Sequence, residues 1–189
     1  MTEPRHHDAG TVPTPVAWKL LAPAIAAMTA VVVASNILVG YPINDWLTWG
    51  ALSYPVAFLV TDLTNRHYGP ALARRVVYVG FALAVVLSFL LASPRIALAS
   101  GTAFLVAQTL DVQVFDRLRN RAWWLPPLMS SFLGSALDTA LFFSLAFAGE
   151  PLPWVQWAFG DFAVKVCVAL ALLPAFRILA RGPGVAVAR

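Results

Sequence analysis

The sequence predicts an all-α integral membrane protein, a bundle of six transmembrane helices with both termini cytoplasmic, on three observations. Six apolar stretches each approach the length that spans a bilayer, tryptophans stand at their ends, and the cationic residues fall almost entirely in alternate connections. A helix needs about 20 predominantly apolar residues to cross a hydrocarbon core of roughly 30 Å. Of the 189 residues, 60% are hydrophobic and only 12% charged. That composition is far from a soluble domain and leaves room for six spans but no separate soluble domain.

Residues 1–17 are polar and proline-bearing and read as a disordered cytoplasmic tail rather than a cleavable signal peptide. The spans follow at Leu20 to Val39, Leu47 to Leu63, Val76 to Ala92, Ile96 to Phe115, Leu128 to Phe147 and Ala158 to Phe176, within one domain over 18–181. Residues 182–189 form a short cytoplasmic tail. Hydrocarbon offers the backbone no hydrogen bonds, and strand-like alternation is absent, so the spans must be helices. Trp18, Trp46, Trp49, Trp123, Trp124, Trp154 and Trp157 flank them, at the headgroup level that suits an amphipathic ring.

Orientation follows from the cations. Arg5, Lys19, Arg66, Arg74, Arg75, Arg117, Arg119, Arg121, Arg177, Arg181 and Arg189 belong to one side, eleven in all, and only Arg95 to the other. The positive-inside rule places the first group, and both termini, in the cytoplasm. An odd number of helices would scramble this alternation.

Charged groups inside a bilayer cost at least a few kcal/mol, so the few that remain there mark partners or function. Asp138 is mid-way along span five, Lys165 a third of the way into span six, and Asp161 four residues earlier on the same helical face. Either aspartate can neutralise the lysine. Span four carries Gln108 and Asp111 three apart, and Asp62 lies near the end of span two at similar depth, where it can also cap or pair with the neighbouring arginines. Asn36 suits a helix-to-helix hydrogen bond. Pro55 removes the bond to the Ala51 carbonyl, a break of the kind that lines transporter sites. Ala22, Ala26, Ala30 and Ala34 form a smooth ridge suited to internal packing.

Other classes find little support. The net charge of +4 sits between apolar spans rather than on a water-facing surface, which argues against nucleic acid. Cys167 is the single cysteine, read as a packing residue, and His67 is isolated from His6 and His7. No metal-ligand spacing, nucleophile with its base, or glycine-rich phosphate loop emerges, so neither a cofactor nor an enzymatic activity is expected. A carrier of a small polar molecule fits best.

Particular strings sharpen this reading. TWGALSYPVAFLVTDLTNRHYGPALARR from Thr48, LDVQVFDRLRNRAWWL from Leu110, SALDTALFFSLAF from Ser135 and GDFAVKV from Gly160 resemble, in order, the VUT family of queuosine-precursor transporters, the YhhQ-like inner-membrane proteins. The resemblance implies a six-helix importer of 7-cyano-7-deazaguanine, with 7-aminomethyl-7-deazaguanine as a second candidate, serving the queuosine of transfer RNA. The matching polar residues are Asn36, Asp62, Gln108, Asp111, Asp138, Asp161 and Lys165. The chain departs from the pattern at Arg66, where many relatives have an acidic residue.

Such a ligand suits these side chains. A deazaguanine edge presents an N–H and an amino group side by side to one carboxylate, and a glutamine or lysine can serve the ring carbonyl. Trp49, Phe58, Phe142 and Phe143 are rings available for stacking. The alternative is the substrate-binding S component of an energy-coupling-factor vitamin importer, which would dock through the alanine ridge. The expected partners are the deazaguanine and the lipid bilayer, and the sequence is compatible with a homo-oligomer.

Overall fold

A computed structural model describes residues 15–38, 41–44, 47–88 and 94–181. Residues 1–14 of the expected N-terminal tail, the C-terminal tail 182–189, Arg5, His6, His7, Trp46 and Arg189 lie outside these residues, while residues 15–17, expected as the end of the tail, are the start of α1. The chain runs α1 (Pro15–Leu38), a small antiparallel ribbon of β1 (Pro42–Asn44) and β2 (Leu47–Thr48), α2 (Trp49–Ser53), α3 (Pro55–Tyr68), α4 (Pro70–Ser88), α5 (Pro94–Leu118), α6 (Leu125–Phe147) and α7 (Trp154–Leu179). Six long helices form the bundle among the described residues, so the all-α class stands, with the ribbon as an addition whose second strand takes the first two residues of the expected second span.

Four of these helices, α1, α5, α6 and α7, are long and apolar enough to cross a membrane. The second expected span is divided. Pro55 has no N–H to continue the helix from α2, and α3 begins at that residue with only 14 residues. Then α4 carries Arg74 and Arg75 near its start and is described only to Ser88.

The loop expected between Leu63 and Val76 is almost all helix. Asn65, Arg66 and His67 extend α3 to Tyr68, and the turn is confined to Gly69, whose φ of 84° suits glycine. The polar composition there belongs to a helix end, not to a loop.

The packing explains the register. Leu21, Met28 and Val32 of α1 meet Ala57 of α3, Val76 and Val77 of α4 and Phe104 of α5 in one buried cluster. Consequently the alanine ridge points the other way: Ala22, Ala26 and Ala30 are exposed, contrary to the expected internal packing, because the larger side chains of α1 claim the interior. Small residues are buried instead on α5, at Ala99, Ala103 and Ala107, and on α6, at Ser130, Gly134 and Ser135, with Ser130 and Gly134 turned to α3. Such faces let helix backbones approach closely in lipid. Cys167 is also exposed, not packed. The exterior carries Val86, Leu98, Phe159 and Ile178, large apolar residues suited to acyl chains.

The two ends differ in charge. At one end His67 meets the Leu179 carbonyl at 3.1 Å, Arg177 lies over Trp123, and Arg119 reaches the C-terminal carbonyls of α3. At the other, Arg95 binds Glu150 at 2.5 Å and the Ala148 carbonyl at 3.0 Å, tying the start of α5 to the connection before α7.

Candidate functional site

Two polar groups occupy the interior, and they contain six of the seven residues singled out in the sequence. The first joins α3, α5 and α6. Thr61 donates to Gln108 Oε1 at 2.6 Å, and Ser130 donates to Asp62 Oδ1 at 2.9 Å. Asp111, one turn from Gln108, faces Asp62 and Ser130. Asp62, Gln108 and Asp111 are all but completely buried.

The bonding in this group is incomplete. Among the described residues, Gln108 Nε2 and both carboxylate oxygens of Asp111 have no hydrogen-bond partner in good geometry, although Asp111 lies close to Asp62 and Ser130. The Ser130 hydroxyl is committed to Asp62, and the Thr61 hydroxyl to the other end of the Gln108 amide. Leaving a buried polar group unpaired costs about 1 to 3 kcal/mol, more for a charged one. Native interiors satisfy nearly all such groups, so an orphaned donor one helical turn from an orphaned carboxylate is a feature that a ligand or water would complete. The Asp62 carboxylate takes its hydrogen bond from a serine of α6.

The second group joins the α2–α3 break to α6 and α7. Lys165 Nζ lies 2.8 Å from Asp138 Oδ2 and 2.5 Å from Asp161 Oδ2, so both aspartates neutralise it, where the sequence left a choice. Thr139 donates to Asp161 at 2.8 Å, and the Tyr54 hydroxyl donates to Asp138 Oδ1 at 3.1 Å. The Tyr54 ring also stands 5.1 Å from Lys165 Nζ, within cation–π range. Unlike the first group, this one is saturated. Asn36 is half-buried near the end of α1, next to Ser35, whose hydroxyl is 2.9 Å from that of Ser53 in α2.

A third set of contacts closes the basic end. Asn65 donates to the Val112 carbonyl at 3.0 Å, and Arg119 donates to the Asn65 side chain and, at 2.8 Å, to its carbonyl. Thus α3 is clamped to α5 just beyond Asp62 and Asp111. Of the aromatics expected to stack on a ligand, Trp49 is exposed and Phe58 is buried beneath Gly134. Phe142 and Phe143 instead join Phe147 and Trp157 in an aromatic cluster towards the opposite end.

Sequence reasoning missed Tyr54, Thr61, Asn65, Ser130 and Thr139. The signal available was their position: Tyr54 precedes the breaking proline, and Thr139 adjoins Asp138. Among the described residues no cluster suits a metal ion.

Comparisons with known proteins converge on one group. The family described as "Putative vitamin uptake transporter" matches residues 48–93 and 87–179. The "Queuosine precursor transporter" of Escherichia coli (strain K12) is 36% identical, the alignment covering 79% of this chain and 81% of that protein. The "Probable queuosine precursor transporter" of Haemophilus influenzae is 35% identical over 70% and 68% of the two chains, and that of Bacillus subtilis 31% identical over 67% and 69%. No solved structure matches.

Proposed function

This chain belongs to the vitamin uptake transporter family, and from that premise we propose that it imports queuosine precursors across the inner membrane, binding the deazaguanine ring between Asp62, Gln108 and Asp111. The relatives named as queuosine precursor transporters support the substrate class. They lend nothing to the alternative of an energy-coupling-factor S component. The observation that carries the site is a pair of buried groups without partners among the described residues, Gln108 Nε2 and the Asp111 carboxylate, one helical turn apart on α5.

Those groups have the order that a guanine-like edge requires. Gln108 Nε2 donates to the ring carbonyl, and the carboxylate one turn away accepts from the ring N–H and the exocyclic amino group. Asp62, held by Ser130, supplies a second acceptor on the facing helix. The bundle is closed around these atoms, so transport requires α3 and its neighbours to part. The break at Pro55 supplies a joint, and the saturated Tyr54, Asp138, Asp161 and Lys165 group braces that joint in the closed form.

In this reading six helices span the bilayer, α2 and α3 together forming the second span, with both termini in the cytoplasm. The arginine-rich end then faces inward. A direct test is uptake of labelled 7-cyano-7-deazaguanine, and of the aminomethyl form, by liposomes containing only the purified chain. Saturable uptake without an ATPase is expected. Uptake that depends on an added ATP-hydrolysing module would overturn the carrier reading.

A further inference from the structure

A cavity of about 480 Å³ opens at the basic end of the bundle, between the ends of α3, α5, α6 and α7. Arg66, Arg119, Arg121, Arg177 and Arg181 line it, together with Trp123. We propose that this cavity is a phosphate-binding site, taking the phosphodiester headgroup of an anionic lipid or a free phosphate-bearing solute.

Five guanidinium groups around one space repel each other, yet counter-charge is scarce. Among the described residues the carboxylate paired with them is Asp116, 2.9 Å from Arg119. Arg119 is further occupied by the α3 carbonyls, and Arg177 lies with its guanidinium carbon 4.6 Å from the Trp123 ring centroid. These two are fixed by protein contacts. Arg66, Arg121 and Arg181 have no carboxylate within ion-pair distance among the described residues.

The C-terminal dipoles of α3, α5 and α7 favour cations at this end, and the positive-inside rule favours them in its loops. Neither effect requires the arginines to converge on one cavity. A neutral deazaguanine does not require them either, so this site goes beyond the transport reading. Phosphate oxygens do match: guanidinium forks bind them with paired, charge-assisted hydrogen bonds. The wall formed by Phe115 and Phe176, in edge contact at 6.0 Å, and the exposed Trp123 and Trp124 suit the glycerol and headgroup level of a bilayer. Basic pockets between helix ends are a known way to hold lipid phosphates.

The test uses the full chain in lipid nanodiscs and in detergent. Retention of phosphatidylglycerol against phosphatidylcholine is measured by native mass spectrometry, and thermal stabilisation by inorganic phosphate is measured separately. The comparison is wild type against the variant combining Arg66→Gln, Arg121→Gln and Arg181→Gln, with the three Arg→Lys changes as a charge-conserving control. At least tenfold weaker binding by the glutamine variant is expected, with the lysine variant in between. Preference for phosphatidylglycerol without a phosphate effect identifies the lipid as the source; stabilisation by phosphate identifies a soluble anion. Should the triple variant fail to assemble, Arg121→Gln and Arg181→Gln alone must each weaken binding. Equal binding by wild type and glutamine variants in both arms would overturn the proposal, leaving the arginines as determinants of orientation only.

Discussion

The Tyr54 hydroxyl donates a 3.1 Å hydrogen bond to Asp138 Oδ1, joining the residue at which the second span breaks to the middle of α6. Through Asp138 the break is connected to Lys165 and Asp161 on α7. Removing the hydroxyl with Tyr54→Phe leaves the ring in place but deletes one bond to a charged group, worth about 1.5 to 3 kcal/mol. The variant is expected to insert and to melt earlier in detergent, with a changed rate of uptake. An unchanged rate together with the lower melting temperature would confine Tyr54 to a structural role.

The lysine and its two aspartates form a group whose members depend on each other. Lys165→Met leaves the buried Asp138 and the partly buried Asp161 without their shared cation and should cost about 3 to 5 kcal/mol, as breaking a buried ion pair does. Neutralising Asp138 as well is insufficient, because Asp161 is also within ion-pair distance of the lysine. The combination Asp138→Asn, Asp161→Asn, Lys165→Met is expected to recover most of the thermal stability and membrane insertion without recovering transport. Normal transport by this combination would make the group purely structural.

Helix packing makes two glycines sensitive to any side chain. A Cβ at Gly134 would stand 2.6 Å from Cε1 of the fully buried Phe58 ring, beside the candidate site. At Gly80 the nearest atoms are Met28 Cγ, also at 2.6 Å, and Met28 Cβ at 3.0 Å. Met28 is equally buried, and a rotamer change moves its Cγ but not its Cβ, so there the α1 backbone must shift as well. Gly134→Ala and Gly80→Ala should therefore each cost about 1 to 3 kcal/mol, typical of overpacking. Melting temperatures of the two purified variants check both, and an unchanged value in either would contradict the close approach at that glycine.

Topology is checked in a Cys167→Ala background, which removes an exposed thiol from α7. A cysteine at Pro151, next to Glu150 on the Arg95 side, should react with an impermeant reagent in intact cells. One at Asn120, at the arginine-rich end, should react only after permeabilisation. The reverse pattern would contradict the orientation argued from the positive charges.

How far the sequence revealed this arrangement depends on which contacts lie within one helix. Gln108 with Asp111, and Asp161 with Lys165, were legible because spacings of three and four fix a common face. Spanning length made α1, α5, α6 and α7 legible, whereas the second expected span is divided at Pro55 and the stretch after Leu63, whose polarity suggested a loop, is helical. There Arg119 of the α5 end binds the carbonyls of Asn65 and Arg66, extending α3 in a way that periodicity does not register. Partners far apart in sequence, such as Ser130 with Asp62 or Tyr54 with Asp138, depend on how helices pack. Serines and tyrosines in apolar spans look alike until that packing is known. The outward alanine ridge has the same origin, since spacing establishes a face without saying which side it turns to.

The most direct measurement is uptake competition in cells unable to make the precursor, scored by the queuosine content of their transfer RNA, for wild type, Asp62→Asn and Asp111→Asn. Guanine-edged analogues should compete with the precursor at least tenfold better than adenine-edged analogues of equal size, a factor equivalent to about 1.4 kcal/mol. Each substitution keeps the shape but replaces an acceptor pair with a mixed donor and acceptor, so both should weaken precursor uptake and narrow that gap. Discrimination unchanged in both variants would contradict recognition by Asp62 and Asp111 and move the binding site elsewhere in the bundle.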